Sequence, residues 1–200
     1  MLFRSDIMTL RDAGLAFIAY FYFDFKDTDK QNRRSLLLSL LSQLSARSNL
    51  CCDMLYQVYL RHNNGDHKPT DDVLIQNLKE VLTFSNHSPI YIVIDALDEC
   101  PDTFGLPSPR ELVLNLVKEL VELSLPNLYL CVTSRPEIDI RIALEPLTSG
   151  QVSLHDQTGQ KEDIIAYVSS VVRSDARMGK WRDDDQNLVI ETLSDRADGM

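Results

Sequence analysis

The sequence of 200 residues predicts an α/β fold built on a parallel sheet. Short apolar runs rich in β-branched and aromatic residues alternate with longer segments of helical periodicity, a pattern typical of βαβ units. The clearest run is Tyr91 to Ile94, which leads directly into the acidic segment Asp95 to Glu99. It is too short for a helix and predicts a strand buried on both faces.

The segments before this strand predict one strand and three helices. Asp6 to Asp12 has the character of a helix tail that Gly14 ends, and Leu15 to Phe25 predicts a strand. Asp27 to Asp29 forms a turn that can cap the first of the three helices, and Thr70 or Asp71 caps the third. The first helix has apolar residues on nearly every face, which predicts that it is largely buried: Leu36, Leu37, Leu38, Leu40, Leu41 and Leu44. The apolar residues of the second are Met54, Leu55, Val58 and Leu60, and those of the third, on one side, are Leu74, Leu78 and Val81 or Leu82.

The segments after the acidic run continue the alternation. Ser108-Pro109-Arg110-Glu111 predicts a helix start, because serine can cap the helix and proline suits its first position. Strands are predicted at Leu128–Val132 and, more weakly, at Gln151–Leu154, and Pro136 begins a short helix. Two further helices are predicted at Lys161–Val172 and Asn187–Ala197. The residues expected to face inward are Leu112, Leu116, Leu120 and Leu123, and later Ile164, Ile165, Val168 and Val172.

Composition narrows the classes of partner. The chain carries 30 acidic and 20 basic residues, a net charge of −10, which disfavours nucleic acid and anionic membrane as main partners. No signal peptide is visible, and the uncharged stretch Gly14 to Phe23 is half the length that a membrane span needs. The four cysteines show no disulfide framework, which predicts reduced thiols in a cytoplasmic protein. No standard zinc spacing fits Cys51, Cys52, His62 and His67.

Acidic residues follow the central strand where a parallel sheet binds its ligands. Asp95 stands at the carboxyl tip of the strand, facing the crevice of an α/β sheet. In this position it has the form of a Walker B acid that holds Mg²⁺ through water beside a nucleotide's phosphates. Glu99, with Asp98 beside it, would orient or deprotonate the attacking water. The alternative interpretation is a buried strand followed by an acidic turn.

A second polar cluster follows the strand Leu128–Val132. It consists of Thr133, Ser134 and Arg135, and the arginine suits recognition of a terminal phosphate. The alternative is that Arg135 belongs to a helix-start loop and pairs with Glu137 or Asp139. Parallel strands end at one sheet edge, so Asp95, Glu99 and Arg135 are expected to converge there. We also expect Ile90–Ile94 in the middle of the sheet, and the strand near Val152 unpaired or beside Leu128–Val132.

Several of these segments resemble the NACHT family of P-loop NTPases. The resemblance lies in Tyr91 to Glu99, Val132 to Pro136, Ala19 to Phe25, Arg34 to Leu41 and Asp163 to Val168. More narrowly, they look like the nephrocystin-type N-terminal domain of fungal NACHT proteins that carry ankyrin or WD repeats. The resemblance implies a signal-transduction module with a three-layer, parallel-sheet fold that binds ATP or GTP with Mg²⁺, switches conformation and self-associates or binds other proteins.

By this resemblance, Asp95 is the metal acid, Asp98 and Glu99 are the catalytic pair, and Thr133, Ser134 and Arg135 bind the nucleotide. One family element is absent from the sequence: the phosphate loop Gly-x-x-x-x-Gly-Lys-Ser/Thr. We therefore expect an incomplete domain over 1–200 without the first strand and loop. Residues 1–13 would be the tail of the loop's helix, 15–175 the αβ core and 176–200 the start of a helical region.

Two other functions stay open. One is a non-catalytic interaction module that keeps the fold, which the absent loop favours. The other is a helicase, because Asp98-Glu99-Cys100 resembles a DExC box; the acidic composition and the distance of that box from its strand oppose it. If the chain is an NTPase module, we expect it to be inactive as an ATPase by itself.

Overall fold

The computed structural model describes residues 16–46, 48–84, 88–103, 105–152 and 158–196. These residues contain three strands and seven α-helices. In chain order they are β1 (Phe17–Tyr22), α1 (Arg33–Ser45), α2 (Asn49–Arg61), α3 (Asp71–Phe84), β2 (Ile90–Asp95), α4 (Pro109–Glu122), β3 (Leu128–Val132), α5 (Ile138–Leu144), α6 (Thr158–Ser174) and α7 (Asp183–Arg196). The predicted helix tail at Asp6–Asp12 and its end at Gly14 lie outside the described residues.

The three strands form one parallel sheet in the order β1-β2-β3. Phe17 pairs with Ile90, and Ile90 pairs with Leu128, so the carboxyl ends of all three strands meet at one edge. This arrangement confirms the predicted α/β class, the parallel pairing and the middle position of the Ile90–Ile94 strand. Parallel neighbours need a crossover that returns the chain to its starting edge, and the helices between the strands provide it.

The core lies against one face of the sheet. Ile90, Ile92 and Ile94 of β2 are at most 1% exposed and pack with Ala19 and Phe21 of β1. The helices α1, α3 and α4 complete this core with apolar residues that include Leu36, Leu37, Leu40, Leu41, Leu44, Leu74, Leu78, Leu82, Leu116 and Leu120.

The prediction that the Tyr91–Ile94 strand is buried on both faces was wrong. On the second face Tyr91 and Val93 are only half-buried, and their neighbours Tyr20 and Tyr129 are 56% and 51% exposed. Tyr91 and Tyr129 stack there, with ring centroids 5.1 Å apart. The sequence did not reveal this difference, because tyrosine and valine also pack well on a half-exposed sheet surface.

Of the predicted helix caps, the one at Ser108 is confirmed and the one at Asp27 is not. The Ser108 hydroxyl accepts from the Glu111 amide at 3.1 Å, and Pro109 opens α4. Asp27 caps a short 3₁₀ turn at Thr28–Lys30, however, while Asn32 caps α1 by accepting from Ser35 at 2.9 Å. Asp27 therefore caps the short turn that precedes α1, and not α1 itself as predicted.

The inward face of α4 differs from the prediction by a rotation of the helix. Leu116 and Leu120 are buried as expected, but Leu112 and Leu123 are only half-buried. Their places in the core are taken by Val113 and Val117, which are 0% and 3% exposed. Both stripes have helical spacing, so the choice depends on packing partners that periodicity does not specify.

The outer edge of β1 is closed by a side chain. The amide of Gln43 on α1 accepts from the Tyr20 backbone N–H at 3.1 Å and donates to the Tyr20 carbonyl at 2.7 Å. These two hydrogen bonds take the place of those that a neighbouring strand would form. They occupy backbone groups at Tyr20 that could otherwise pair with a strand of another chain.

The chain forms two compact units, Met1–Thr148 and Ser149–Met200. In the second unit Val172 and Ile190 are buried, whereas Ile165, predicted to face inward, is 39% exposed. Helix α7 begins at Asp183 rather than Asn187, because its acidic first turn favours the positive helix end. Gln151 and Val152 are not in a strand, and the rest of that predicted strand lies outside the described residues. None of the helices described could cross a membrane, since all are too short or too polar.

Candidate functional site

Two polar residues meet where β2 and β3 end. Asp95 closes β2 and is exposed, and Thr133 directly follows β3. The Thr133 amide donates to the Ile94 carbonyl at 2.9 Å, which extends the strand pairing by one residue. The Thr133 hydroxyl donates to the Asp95 carboxylate and accepts from the Ala96 amide at 3.1 Å. Thr133 therefore fixes the orientation of the Asp95 side chain at the sheet edge.

Arg135 is brought to the same edge by Asp98. The Arg135 amide donates to Asp98 Oδ1 at 3.0 Å, and its Nε lies 3.5 Å from Asp98 Oδ2. The Asp98 side chain is 11% exposed, whereas that of Arg135 is 80% exposed. Asp139, the alternative partner considered for Arg135, contacts Arg110 at 3.2 Å. The carboxylate of Asp98 thus anchors the loop, and the guanidinium stays accessible.

Glu99 ties the acidic turn to the first strand. Its Oε2 accepts from the Phe25 amide at 3.0 Å, and the Asp95 carbonyl accepts from Phe23 at 3.0 Å. One Glu99 oxygen therefore holds the loop after β1, while the side chain stays half-buried. Asp95, Glu99 and Arg135 all lie at the carboxyl ends of their strands. Ser134 is exposed beside them, its hydroxyl donating to the Arg135 carbonyl at 2.5 Å.

The turn that presents the two later acids depends on Ala96. Its backbone is left-handed, with φ 53° and ψ 47°, and it leads into the 3₁₀ turn Leu97–Glu99. A residue other than glycine costs about 1 kcal/mol in this conformation. The turn buries Leu97 fully and directs Asp98 and Glu99 toward the loops of β3 and β1.

Arg110 is a site residue that sequence reasoning missed. Its Nη2 donates to the Asp98 carbonyl at 2.8 Å and its Nε to the Cys100 carbonyl at 2.9 Å. Its Nη1 also pairs with Asp139 of α5 at 3.2 Å, and the side chain is 11% exposed. The one available signal was a cation in the first turn of a helix, where the dipole disfavours it. Arg110 therefore stabilises the acidic turn through two of its carbonyls and links it to α5.

Cys100 ends the turn as a buried, inert thiol. It is 0% exposed, and its Sγ lies 3.5 Å from the Gln31 carbonyl oxygen. Burial raises the pKa of Cys100 to about 12, against a smaller opposing effect of Arg110. At neutral pH the thiol is protonated, so it lacks the thiolate that a nucleophile or a metal ligand requires.

The donors at this edge suit Mg²⁺ only if it is shared with a ligand. No group of three or more His, Cys, Asp or Glu residues able to enclose a metal occurs among the described residues. Mg²⁺ is commonly held by one or two carboxylates, with phosphates and water completing its octahedron. Asp95, exposed and oriented by Thr133, provides a carboxylate of this kind.

Comparison with known proteins identifies a family for this chain. The family model described as nephrocystin 3, N-terminal, matches residues 1–135, a range that contains all three strands and both polar tips. Neither a curated protein nor a solved structure matches the chain significantly. Because the matched range covers more than half of the sequence, the chain belongs to the nephrocystin 3 N-terminal domain family.

Proposed function

We propose that the chain is a NACHT-type nucleotide-binding module, which binds the phosphates of Mg-ATP or Mg-GTP at the carboxyl edge of its sheet. The observation that carries this proposal is the meeting of an oriented carboxylate, Asp95, and an accessible cation, Arg135, on adjacent strand ends. A metal–phosphate group presents both a cation and negative oxygens, so it needs both kinds of partner.

The side chains divide this work. Asp95 would hold a Mg²⁺ ion, and Thr133 keeps its carboxylate in one orientation. Arg135 contacts the terminal phosphate, while Asp98 keeps its backbone in place. Glu99 orients the attacking water with the oxygen that does not bind Phe25. Because the other Glu99 oxygen holds the loop after β1, this residue would connect a nucleotide-dependent switch to that loop.

Affinity for nucleotide is expected to be weak in this chain. The sequence holds no Gly-x-x-x-x-Gly-Lys-Ser/Thr, whose backbone amides and lysine carry most phosphate contacts in P-loop proteins. Loss of two charge-assisted bonds costs about 3–6 kcal/mol, or roughly two to four decades of affinity. A site of micromolar affinity would fall to about 0.1–10 mM.

A protein-interaction module is the second candidate. It is favoured by the second face of the sheet, where Tyr20, Tyr22 and Tyr129 are each about half-exposed. Tyrosine is enriched at protein interfaces, because it combines a large apolar ring with a hydroxyl. The two functions share this face of the sheet at Tyr22, because Tyr22 is the neighbour of Asp95 in the register of β1 and β2.

Titration of the chain with Mg-ATP tests the proposal. We expect a dissociation constant of about 0.1–10 mM that requires Mg²⁺, no measurable hydrolysis, and weaker binding by the Asp95→Ala variant. Serial NMR spectra of the ¹⁵N-labelled chain measure this range. Binding that is independent of both Mg²⁺ and Asp95 would contradict the proposal. Micromolar affinity that is lost in Asp95→Ala would support the site, but it would show that tight binding at this site does not depend on a phosphate loop.

A further inference from the structure

The end of β1 lies directly beside the proposed metal acid. Tyr22 pairs with Asp95 in the register of the sheet, so the two backbones are about 4.8 Å apart. Residues in register on parallel strands project to the same face, and both of these are exposed. The β1 side of the carboxyl edge is therefore part of the same surface as Asp95.

A lysine is held over this end of β1. Lys30 Nζ lies 4.0 Å from the centroid of the Tyr22 ring, donates to the Tyr22 hydroxyl and lies 3.4 Å from Asp27 Oδ2. The loop that carries it is closed by two bonds: the Asp24 amide donates to the Lys30 carbonyl at 3.3 Å, and Gln31 Nε2 donates to the Asp24 carbonyl at 3.1 Å. Lysine thus reaches the sheet edge with part of its rotamer entropy already lost.

The shortest contact of Lys30 is with a neutral group, the Tyr22 phenol. Its ion pair with Asp27, at 3.4 Å, is longer than the contacts of Arg33 and Arg34 with Asp71, which are 3.2 and 2.9 Å. The hydrogen bond with Tyr22 raises the pKa of Lys30, so the ammonium is fully charged at neutral pH. Since the phenol oxygen accepts from Lys30, its own O–H is directed away and can donate to another acceptor.

We propose that Lys30, with the Tyr22 hydroxyl, is a second phosphate-binding group of the site. Lys30 then stands on the β1 side of Asp95 and Arg135 on the β3 side, so cations flank the metal acid on both neighbouring strands. The ligand class is a magnesium-bound polyphosphate, whose oxygens beyond the metal need positive partners. This inference rests on the proposed function, and it supplies part of the positive charge that a phosphate loop provides elsewhere.

Lys26 offers a matched control for Lys30. It belongs to the same loop and carries the same charge, but its Nζ lies 5.3 Å from the centroid of the Phe25 ring rather than over Tyr22. A general attraction of the loop for anions would depend on both lysines. A specific phosphate contact would depend on Lys30 alone.

The experiment is an NMR titration of the ¹⁵N-labelled chain with Mg-ATP at low ionic strength. From the initial slopes we expect Lys30→Gln to weaken binding about tenfold, Lys30→Arg by no more than about threefold, and Lys26→Gln by less than about twofold. Because these lysines are on the surface, the spectra without ligand should remain those of the folded chain. Tyr22→Phe should weaken binding by a smaller factor, since it removes one neutral donor.

The outcomes separate this inference from the proposed function. Unchanged affinity in Lys30→Gln, with weaker binding in Asp95→Ala, would overturn the role of Lys30 and leave the metal–phosphate site in place. Equal weakening by Lys26→Gln and Lys30→Gln would also overturn it, by showing a diffuse charge effect. Two results would overturn both this inference and the proposed function: no binding of Mg-ATP by the chain, or binding that neither Lys30→Gln nor Asp95→Ala changes.

Discussion

Replacing Leu40 with alanine is expected to lower the free energy of unfolding by about 2–5 kcal/mol. Leu40 is 0% exposed on α1, within the core that joins this helix to the buried face of the sheet. The substitution removes buried methyl groups and leaves a cavity that close-packed neighbours fill only in part. Urea denaturation followed by circular dichroism measures the change.

Leu38 on the same helix provides the control. It is 46% exposed, so Leu38→Ala should change the free energy of unfolding by less than about 1 kcal/mol. Both substitutions alter helix propensity equally, so their difference isolates burial. Equal losses from the two substitutions would refute the assignment of α1 as the helix that packs on the sheet.

Replacing Arg110 with methionine is expected to cost about 3 kcal/mol or more, because two carbonyls lose a charged donor worth about 1.5–3 kcal/mol each. The carbonyls belong to Asp98 and Cys100, and Asp139 loses its ion-pair partner. Methionine retains most of the apolar stem, so the loss reports the guanidinium contacts rather than packing. Urea denaturation again gives the magnitude.

The matched control for Arg110 is Arg141→Met. Arg141 pairs with Glu145 at 3.5 Å, but both side chains are more than half exposed. Exposed pairs of this kind contribute at most about 0.5 kcal/mol. A loss from Arg110→Met as small as that from Arg141→Met would show that the contacts of Arg110 with the acidic turn are not a structural determinant.

The strands and their pairing were predictable, because the signals for them are local. The run Tyr91–Ile94 is short, apolar and followed by acids, and the helices between the strands are long enough for crossover connections. Ser108 and Pro109 likewise mark the start of α4 unambiguously. Once the strands are parallel, the meeting of Asp95 and Arg135 at one edge follows from topology alone.

Other features depend on tertiary contacts that the sequence does not encode locally. The half-exposed face around Tyr91 could not be told from a buried one, because the same residue types suit both. The core position of Val113 in place of Leu112 is a small rotation of a helix with two apolar stripes. Arg110 binds carbonyls 10 and 12 residues away, and its role appears only when the turn and the helix are placed together.

The local geometry also assigns finer roles than the motif does. The motif predicts that Asp98 and Glu99 act as one catalytic pair. In the structure, each of them binds the loop after a different strand. Asp98 binds the loop after β3 and Glu99 the loop after β1. This division depends on the left-handed backbone of Ala96. The sequence gives no sign of that conformation, because alanine is not among the residues that favour it, which are glycine, asparagine and aspartate.

The central claim is that the carboxyl edge around Asp95 is a metal–phosphate site. The most direct test adds a strong phosphate anchor and then measures what Asp95 contributes. A strand, a Gly-x-x-x-x-Gly-Lys-Ser loop and a helix from a relative in the same family are fused upstream of Asp6. In this fused protein Glu99→Gln should retain binding and slow hydrolysis, and Arg135→Ala should reduce discrimination between ATP and ADP.

The decisive measurement is the dissociation constant of Mg-ATP for the fused protein with and without Asp95. We expect Mg²⁺-dependent binding that Asp95→Ala weakens about tenfold or more, because the substitution removes the carboxylate that holds the ion. A folded fusion protein that binds Mg-ATP equally well with aspartate or alanine at this position would contradict the claim and show that the acidic tip of β2 is structural.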